Sequence, residues 1–534
     1  MTKTENQRLN TEKITRLLFF LVIIAVYFFA LGGFPLVGPD EPRYSQVARE
    51  MFEHSDFVTP TLGGANWFEK PVLLYWLQIF FYNIFGVSEF SARFGSALFG
   101  LGTIASLWIL GNFVTQRNLE SGIRNLESGK TDFANWLALI AASSVGLMAF
   151  SRGASFDIIL TFPITASLVA FFIFDQTQNP PANAGGSDRS ASPRPRISAS
   201  LFAFYFFVGI ALLAKGLIGI VLPFAIVGFY HFLSRKLPGR TFIFSLFWGT
   251  LFSFLVASLW YLPMYLRHGW EFIDEFFIQH HFQRYTSNKY QHPQPFWFFW
   301  LVLPLMTIPW LPFFPALIWN LLKRRGEKEK RRRGDAETRR RGDFFSSSPL
   351  LLFSLSWLLV PLIFFSFSGS KLPGYILPAL PAALIFTAIY VHQFVRKSAN
   401  RKLAVQFLAF STFAVVVFLL RFVVPDFAAD DSTKYLISAA SARGYTTEKV
   451  LNLHTISHNS EFYAAGRLIR EPSGKLRKFL SAAEVLEEIK KESRPVLVLV
   501  PHEYLHELTE SDLVTAEVLN KNAEHAIVFV RAKN

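Results

Sequence analysis

Asp40 and Glu41 stand side by side in the run GPDEPRY, bracketed by Pro39 and Pro42. The prolines stiffen the backbone that presents the pair, and a rigidly held carboxylate can deprotonate or orient an acceptor hydroxyl. The plainer reading is a solvated helix cap. Asp157 closes SRGASFD where an apolar segment begins, so it reads either as an N-terminal cap or as a second carboxylate for acceptor binding. Two such carboxylates leave room for a divalent metal held by oxygen ligands, but no dense ligand cluster assigns one. Lys70, Arg284 and Lys371 lie at the edges of apolar segments. Long basic side chains often snorkel there with no further role. Three of them beside carboxylates fit an anionic lipid headgroup, Arg as a forked donor and Lys as a point charge, and both would stabilise a departing phosphate. Tyr285 and Tyr375 could add hydroxyl donors. His280, His281 and His292 lack a fixed helical ligand spacing and read as polar loop residues.

The elements that must position these groups are membrane spans. The chain has 534 residues, is 51% hydrophobic and carries 60 Phe, and its apolar runs reach the length that crosses a hydrocarbon core. Phe and Trp in such numbers read first as span packing and interface belts. The net charge of +14 sits in loops beside those runs, which argues against nucleic acid and for the positive-inside rule. Having no cysteine, the chain forms no disulfide and uses no thiolate. The first run, 14 to 34, follows Lys3, Lys13 and Arg16 and is too long for a cleaved leader. It reads as an uncleaved anchor with a cytoplasmic N-terminus.

Charge then orients the rest. The loop from 35 to 91 faces outward and is rich in Pro, Gly and charge; within it, 71 to 86 is apolar but short, a surface helix or a short span. If it stays on the surface, every later basic loop falls inside. Spans are expected at 92–114, 134–150, 157–174, 200–214, 216–232, 241–265, 296–322, 349–368, 374–395 and 403–424. With the anchor, the count is about eleven, or about thirteen if two short segments cross. The tract from Lys323 to Asp343, with eleven basic and five acidic residues, is cytoplasmic on this reading. Repeated RNLESG at 117–122 and 124–129, and RRRGD at 331–335 and 339–343, are too short for structural units and read as cytoplasmic insertions. After 424, amphipathic stretches such as 481–491 alternate with apolar runs such as 495–500 and 526–530, which predicts a small outer α/β domain over 425–534. Residues 1–424 form the transmembrane domain. This topology uses charge and length alone, yet it puts Asp40, Glu41, Glu69, Lys70, Asp157, the HHFQRY segment, Lys371 and Tyr375 on the outer face.

Five motifs occur in a familiar order: GPDEPRYSQVAREM at 38–51, WFEKPVLLYWL at 67–77, SRGASFD at 151–157, HHFQRY at 280–285 and SKLPGYILPALP at 370–381. Over about 14 to 424, the chain resembles the lipid-carrier-dependent glycosyltransferases of the C-type membrane fold. It is most similar to their aminoarabinose (lipid A) transferase branch, which is related to dolichyl-phosphate-mannose protein mannosyltransferases. The resemblance implies a polytopic α-helical fold and transfer of a sugar from a polyprenyl-phosphate carrier, with inversion, at the periplasmic face of a bacterial inner membrane. It implies Asp40 as the catalytic carboxylate with Glu41 beside it and Asp157 as the second acidic residue. Lys70, Arg284 and Tyr375 would contact the carrier phosphate with Lys371 nearby, and Glu69, Trp67 and Tyr285 would shape the cavity. At position 67 the relatives more often carry Tyr.

The motifs describe the donor half of a site. A lipid or glycan acceptor of the lipid A kind is the leading expectation, and a protein Ser or Thr is the alternative. A flippase or transporter would place polar groups near mid-membrane. Lys215 and Gly216 are the candidates for that, and the topology puts them at the outer edge.

Overall fold

The computed structural model describes residues 3–120, 132–178, 199–283, 293–314, 316, 349–472 and 474–533. The chain opens with helix α1 (Lys3–Phe28), followed by α2 (Asp40–Glu53), a short hairpin β1 (Thr61–Leu62) and β2 (Ala65–Asn66), and α3 (Leu73–Phe85). Then come α4 (Glu89–Glu120), α5 (Asp132–Ala142), α6 (Val145–Phe150), α7 (Phe156–Gln178), α8 (Ala199–Lys215), α9 (Ile218–Ser234) and α10 (Arg240–Ile273), which runs on as a π-helical stretch Asp274–Gln283. The later membrane elements are α11 (Phe298–Met306), α12 (Pro349–Ser366), a 3-10 turn Pro373–Ala379, α13 (Leu380–Val395) and α14 (Ala399–Phe422).

Among the described residues, six helical segments are long and apolar enough to cross a membrane: Glu89–Arg117, Phe156–Gln178, Arg240–His280, Pro349–Ser366, Pro373–Val395 and Ala399–Phe422. Five shorter apolar helices accompany them: Arg16–Phe28, Leu73–Phe85, Phe133–Ala142, Ala199–Lys215 and Ile218–Ser234. The protein is therefore a polytopic α-helical membrane protein. Pro163, Pro223, Pro263, Pro304 and Pro361 sit inside helices, which membrane helices tolerate because neighbours re-satisfy the freed carbonyls. The most central segments are Phe156–Gln178 and Pro373–Val395, 78% and 83% buried, whereas Arg240–His280 and Ala399–Phe422 are 17% and 22% buried. The last two present large apolar side chains such as Phe244, Trp248 and Phe407 outward, as a lipid-facing helix does.

The region from 35 to 91 holds structure of its own. Helix α3 has 13 residues, about 20 Å at 1.5 Å per residue, and so falls short of a hydrocarbon core. It lies against α2 and α4, burying Leu74, Tyr75, Gln78, Ile79, Phe81 and Tyr82. Gln78 donates to the carbonyl of Ala92, and the Tyr82 hydroxyl to that of Ser45. The hairpin turns on Gly63 and Gly64, both at positive φ (63° and 79°), the backbone a two-residue turn requires. The buried carboxylate of Glu50 accepts both glycine amides, at 2.7 and 3.1 Å, and the Thr61 hydroxyl at 3.0 Å.

After α14 come α15 (Val424–Asp431), α16 (Lys434–Ala442), β3 (Val450–Leu453), α17 (Ser460–Tyr463), β4 (Lys478–Phe479), α18 (Ala482–Glu492), β5 (Val496–Pro501), a 3-10 turn His502–Tyr504, α19 (His506–Thr509), β6 (Val514–Lys521) and β7 (His525–Ala532). The sheet order is β4-β3-β5-β7-β6. The β4, β3 and β5 strands pair in parallel, while β5, β7 and β6 pair antiparallel. β5 is the sheet's inner strand, with Val496 to Val500 fully buried, and such a run of apolar residues is what a strand covered on both faces needs. Helix α18 is capped by Ser481, whose hydroxyl accepts from the Glu484 amide, while the Glu484 carboxylate accepts from the amide of Leu480 just before the cap.

Candidate active site

A cavity of about 770 Å³ opens where α2, the loop 151–155, the start of α7, the α8–α9 junction, the π-helical stretch and the turn 368–375 converge. Its polar wall includes Asp40, Glu41, Glu69, Lys70, Asp157, Lys215, His280 and Tyr375, and its apolar wall includes Leu217, Ile218, Val221, Phe364 and Phe365. Five motifs far apart in sequence thus each send at least one residue to one chamber.

Asp40 and Glu41 form the first turn of α2 after Pro39, a position electrostatically suited to carboxylates. Their environments differ. Asp40 is exposed to the cavity, with Arg43 at 3.9 Å as its ion-pair partner. Glu41 is buried and saturated: Arg93 donates to both carboxylate oxygens at 2.7 and 2.8 Å, the Ala154 amide donates to Oε1 at 2.8 Å, and the Val37 amide donates to Oε2 at 2.9 Å. It joins three separate chain segments at the cavity floor. Arg93 is fully buried on α4 and also donates to the carbonyls of Leu31, Phe34 and Pro35 at 2.7 to 3.0 Å.

Within SRGASFD each polar residue has a distinct partner. Arg152 donates to the carbonyls of Val26, Tyr27 and Phe29, satisfying the orphan acceptors at the end of α1. Asp157, in the first turn of α7, receives Lys215 from the last turn of α8. The Lys215 ammonium also lies 4.9 Å from the Tyr375 ring centroid, within cation–π range. On its other side, Asp157 meets Gly374, where an added Cβ would overlap the carboxylate. Only glycine allows the turn to approach Asp157 this closely.

Glu69 and Lys70 pair at 2.7 Å at the foot of the glycine hairpin. The loop before the hairpin is fixed by Asp56, which accepts from the amides of Val58 and Thr59 and from Arg267 on α10. Burial works against the Asp56 charge, but these donors outweigh it and hold the carboxyl below its usual range. Helix α10 breaks at Gly269 (φ 56°, ψ −131°), and the π-helical stretch beyond the break brings His280 to the cavity.

Two expected residues stand off the cavity wall. Lys371 donates to the carbonyls of Ser368 and Gln294, at 2.7 and 3.0 Å, because burial in a turn leaves its ammonium to satisfy backbone oxygens. Trp67 packs beneath Arg43, whose guanidinium is 5.7 Å from its ring. Arg284, Tyr285 and His292, as well as the His281 side chain, lie outside the described residues, and so does the whole tract 317–348. Among the described residues, no three His, Cys, Asp or Glu side chains gather as a metal would require.

Sequence reasoning passed over Arg93, Arg152 and Glu50, and considered Lys215 only as a transport residue. The signal for Arg93 was present: an ionisable residue inside an apolar span is a functional candidate by default, with a partner to be found.

Residues 13–274 match the family of dolichyl-phosphate-mannose-protein mannosyltransferases. The undecaprenyl phosphate-alpha-4-amino-4-deoxy-L-arabinose arabinosyl transferase of Aeromonas salmonicida is 28% identical over 378 residues, covering 70% of this chain and 60% of that protein. Its counterpart in Shewanella sediminis is 29% identical over 411 residues, covering 75% and 64%. The matches span about three fifths of the length of these relatives. The crystal structure of ArnT from Cupriavidus metallidurans bound to undecaprenyl phosphate superposes with a TM-score of 0.69 at 22% identity, over 96% of this chain and 97% of that one. The apo form gives 0.67 at 20%.

Proposed function

We propose that this chain, built on the C-type membrane glycosyltransferase fold of the aminoarabinose transferases, moves a sugar from a polyprenyl-phosphate carrier to a lipid or glycan acceptor. The acceptor would be of the lipid A kind, at the periplasmic face of a bacterial inner membrane. One observation carries this reading: a single cavity is lined both by carboxylates and cations and by the apolar side chains of Leu217, Ile218, Val221, Phe364 and Phe365. An amphiphile with a charged sugar-phosphate head and an isoprenoid tail matches both kinds of lining. The names of the sequence relatives support the same donor class.

In this reading Asp40 is the base. It is the exposed carboxylate of its pair, and it takes the proton from the acceptor hydroxyl as the oxygen attacks the anomeric carbon. The bond between that carbon and the phosphate oxygen breaks on the opposite face, its electron pair stays on the phosphate, and the configuration inverts. Lys70, Arg284 and Tyr375 are the phosphate ligands, their charge and donors matched to the departing anion. Glu69 holds Lys70 until the donor arrives. Asp157 with Lys215 orients the sugar or acceptor, while Glu41 serves as the buried anchor of the loop that carries Asp40. Lys371 serves the turn that carries Tyr375.

For the sugar, we favour a pentose carrying an amino group, since the relatives' printed donor is 4-amino-4-deoxy-L-arabinose and a cavity wall that includes the carboxylates of Asp40 and Asp157 suits an ammonium. A second reading, a hexose transferred to protein Ser or Thr, draws on the mannosyltransferase family match. Purified protein in nanodiscs should be given radiolabelled undecaprenyl-phosphate aminoarabinose or polyprenyl-phosphate mannose, with lipid A and a Ser/Thr-rich peptide as acceptors. Label on lipid A from the first donor, lost in Asp40→Asn, is the expected result. Label on the peptide from mannose would favour the second reading. In the same protein reconstituted into sealed vesicles, carrier movement across the membrane without transfer would sink both.

A further inference from the structure

The segment that delivers Asp40 has no regular structure of its own, yet three successive amides along it are each held by a side-chain oxygen. The Leu36 amide donates to the Tyr463 hydroxyl at 2.7 Å, the Val37 amide to Glu41 at 2.9 Å, and the Gly38 amide to Asp431 at 3.3 Å. Two of the three acceptors come from the C-terminal region, more than 390 positions away.

Those two acceptors are themselves fixed. The Tyr463 hydroxyl, on α17, donates to Glu89 at 3.1 Å, and Glu89 also pairs with Lys434 of α16 at 2.6 Å. Burial, and then the Glu89 carboxylate beside it, push the Tyr463 phenol up, so it stays protonated and can donate to Glu89 while accepting from Leu36. Asp431, at the end of α15, is gripped by Asn459 through both its carbonyl and its carboxylate, at 2.9 and 3.4 Å. Asn522, in the β6–β7 turn, donates to the carbonyls flanking it, those of Asp430 and Ser432. Leu36 is fully buried, and a buried amide without an acceptor is costly. The same side of the domain reaches the neighbouring hairpin: Arg470, paired with Glu461 at 3.0 Å, packs on Gly63 so closely that a Cβ there would overlap it.

We propose that Tyr463 and Asp431 are positioning residues for Asp40, so that the C-terminal sheet domain completes the active site by holding the backbone that presents the base. This rests on the reading of Asp40 given above. The domain is then part of the catalytic apparatus, although none of its described residues lines the cavity. A base displaced by even a small distance loses rate while the donor pocket, built on Lys70 and Tyr375, keeps its shape.

Hydrogen exchange on the full chain in nanodiscs, paired with transfer kinetics using undecaprenyl-phosphate aminoarabinose and lipid A, tests this. In Tyr463→Phe and in Asp431→Ala, exchange across residues 34–39 should rise about tenfold while peptides from β5 stay protected, the loss expected for one hydrogen bond. The kcat should fall about tenfold with the donor KM unchanged, because the interaction acts on chemistry rather than on donor binding. If Tyr463→Phe also loosens β5, Asp431→Ala decides. Unchanged exchange across 34–39 in both variants would overturn the proposal, as would a loosened segment with kcat intact. Equal transfer by wild type and Asp40→Asn would instead remove the base, an outcome the exchange measurement keeps separate.

Discussion

Arg93 donates two hydrogen bonds to Glu41, Nε to Oε1 at 2.7 Å and Nη2 to Oε2 at 2.8 Å, in a pair whose side chains are 0% and 8% exposed. Removing one member strands a buried charge, which costs about 3–5 kcal/mol. Arg93→Met should therefore lower the thermal stability of the purified protein by that order and abolish transfer, since Glu41 joins 37, 93 and 154. Adding Glu41→Gln to Arg93→Met removes the stranded charge and should recover part of the stability. Losses that simply add in the double variant would show that the two do not act as a unit.

Much of the fold follows from quantities that a linear reading can measure. Bilayer thickness fixes span length, so the helices of the described residues appear near most of the expected runs. The loop from 35 to 91, the short α3 and the terminal sheet are likewise marked by local changes of composition. What stays hidden is the choice of partner across distance. Arg93 and Glu41 are 52 positions apart, and Lys215 and Asp157 are 58. Nothing local to either residue names the other. Lys371 and Tyr375 share one motif, yet only Tyr375 lines the cavity, because the turn between them buries the lysine against carbonyls. The Tyr463 and Leu36 contact is more distant still, and only the closed fold reveals it.

Lys215 and Asp157 are each about one fifth exposed, at 20% and 19%, so their pair is only partly screened. Contacting residues of this kind show coupling of about 0.5–3 kcal/mol. Lys215→Met and Asp157→Asn should each lower kcat/KM, and the double variant should be hardly worse than the poorer single one. A double-mutant cycle on transfer rates measures this. Strictly additive losses would mean that the two side chains serve separate steps.

Gly374 offers a test through shape alone. An added methyl would overlap the Asp157 carboxylate, whereas at Gly228 on α9 nothing lies within 4 Å. Gly374→Ala should cut transfer at least about tenfold by displacing the turn that holds Tyr375 or the carboxylate it faces, since misplacement of about 1 Å can cost a hundredfold. Gly228→Ala should leave the rate near that of wild type. Equal activity in the two variants would mean that the close approach of turn and carboxylate has no catalytic consequence.

The sheet domain carries its own pH dependence. Burial lowers the His525 imidazole below its ordinary 6.5, with Glu524 opposing and His502 assisting. For Glu461, burial works against ionisation, but the His458 hydrogen bond and the charge and hydrogen bond of Arg470 outweigh it and hold the carboxyl below its ordinary 4.5. In both cases the folded state binds a proton less readily than the unfolded one, so acid destabilises the fold. The His525 contribution is complete above 6.5 and is lost as pH falls through its folded value; the Glu461 contribution is complete above 4.5 and is lost at lower pH still. Thermal unfolding of the full chain in nanodiscs, followed from about pH 8 down to about pH 4, reads these steps in the order in which the two side chains titrate. His525→Asn should remove the earlier decline. Glu461→Gln should lower stability at neutral pH, where Arg470 loses its partner, and flatten the acid limb. A melting temperature that rises as pH falls below 6.5 would contradict the sign of the His525 shift, and one that rises as pH falls below 4.5 the sign of the Glu461 shift.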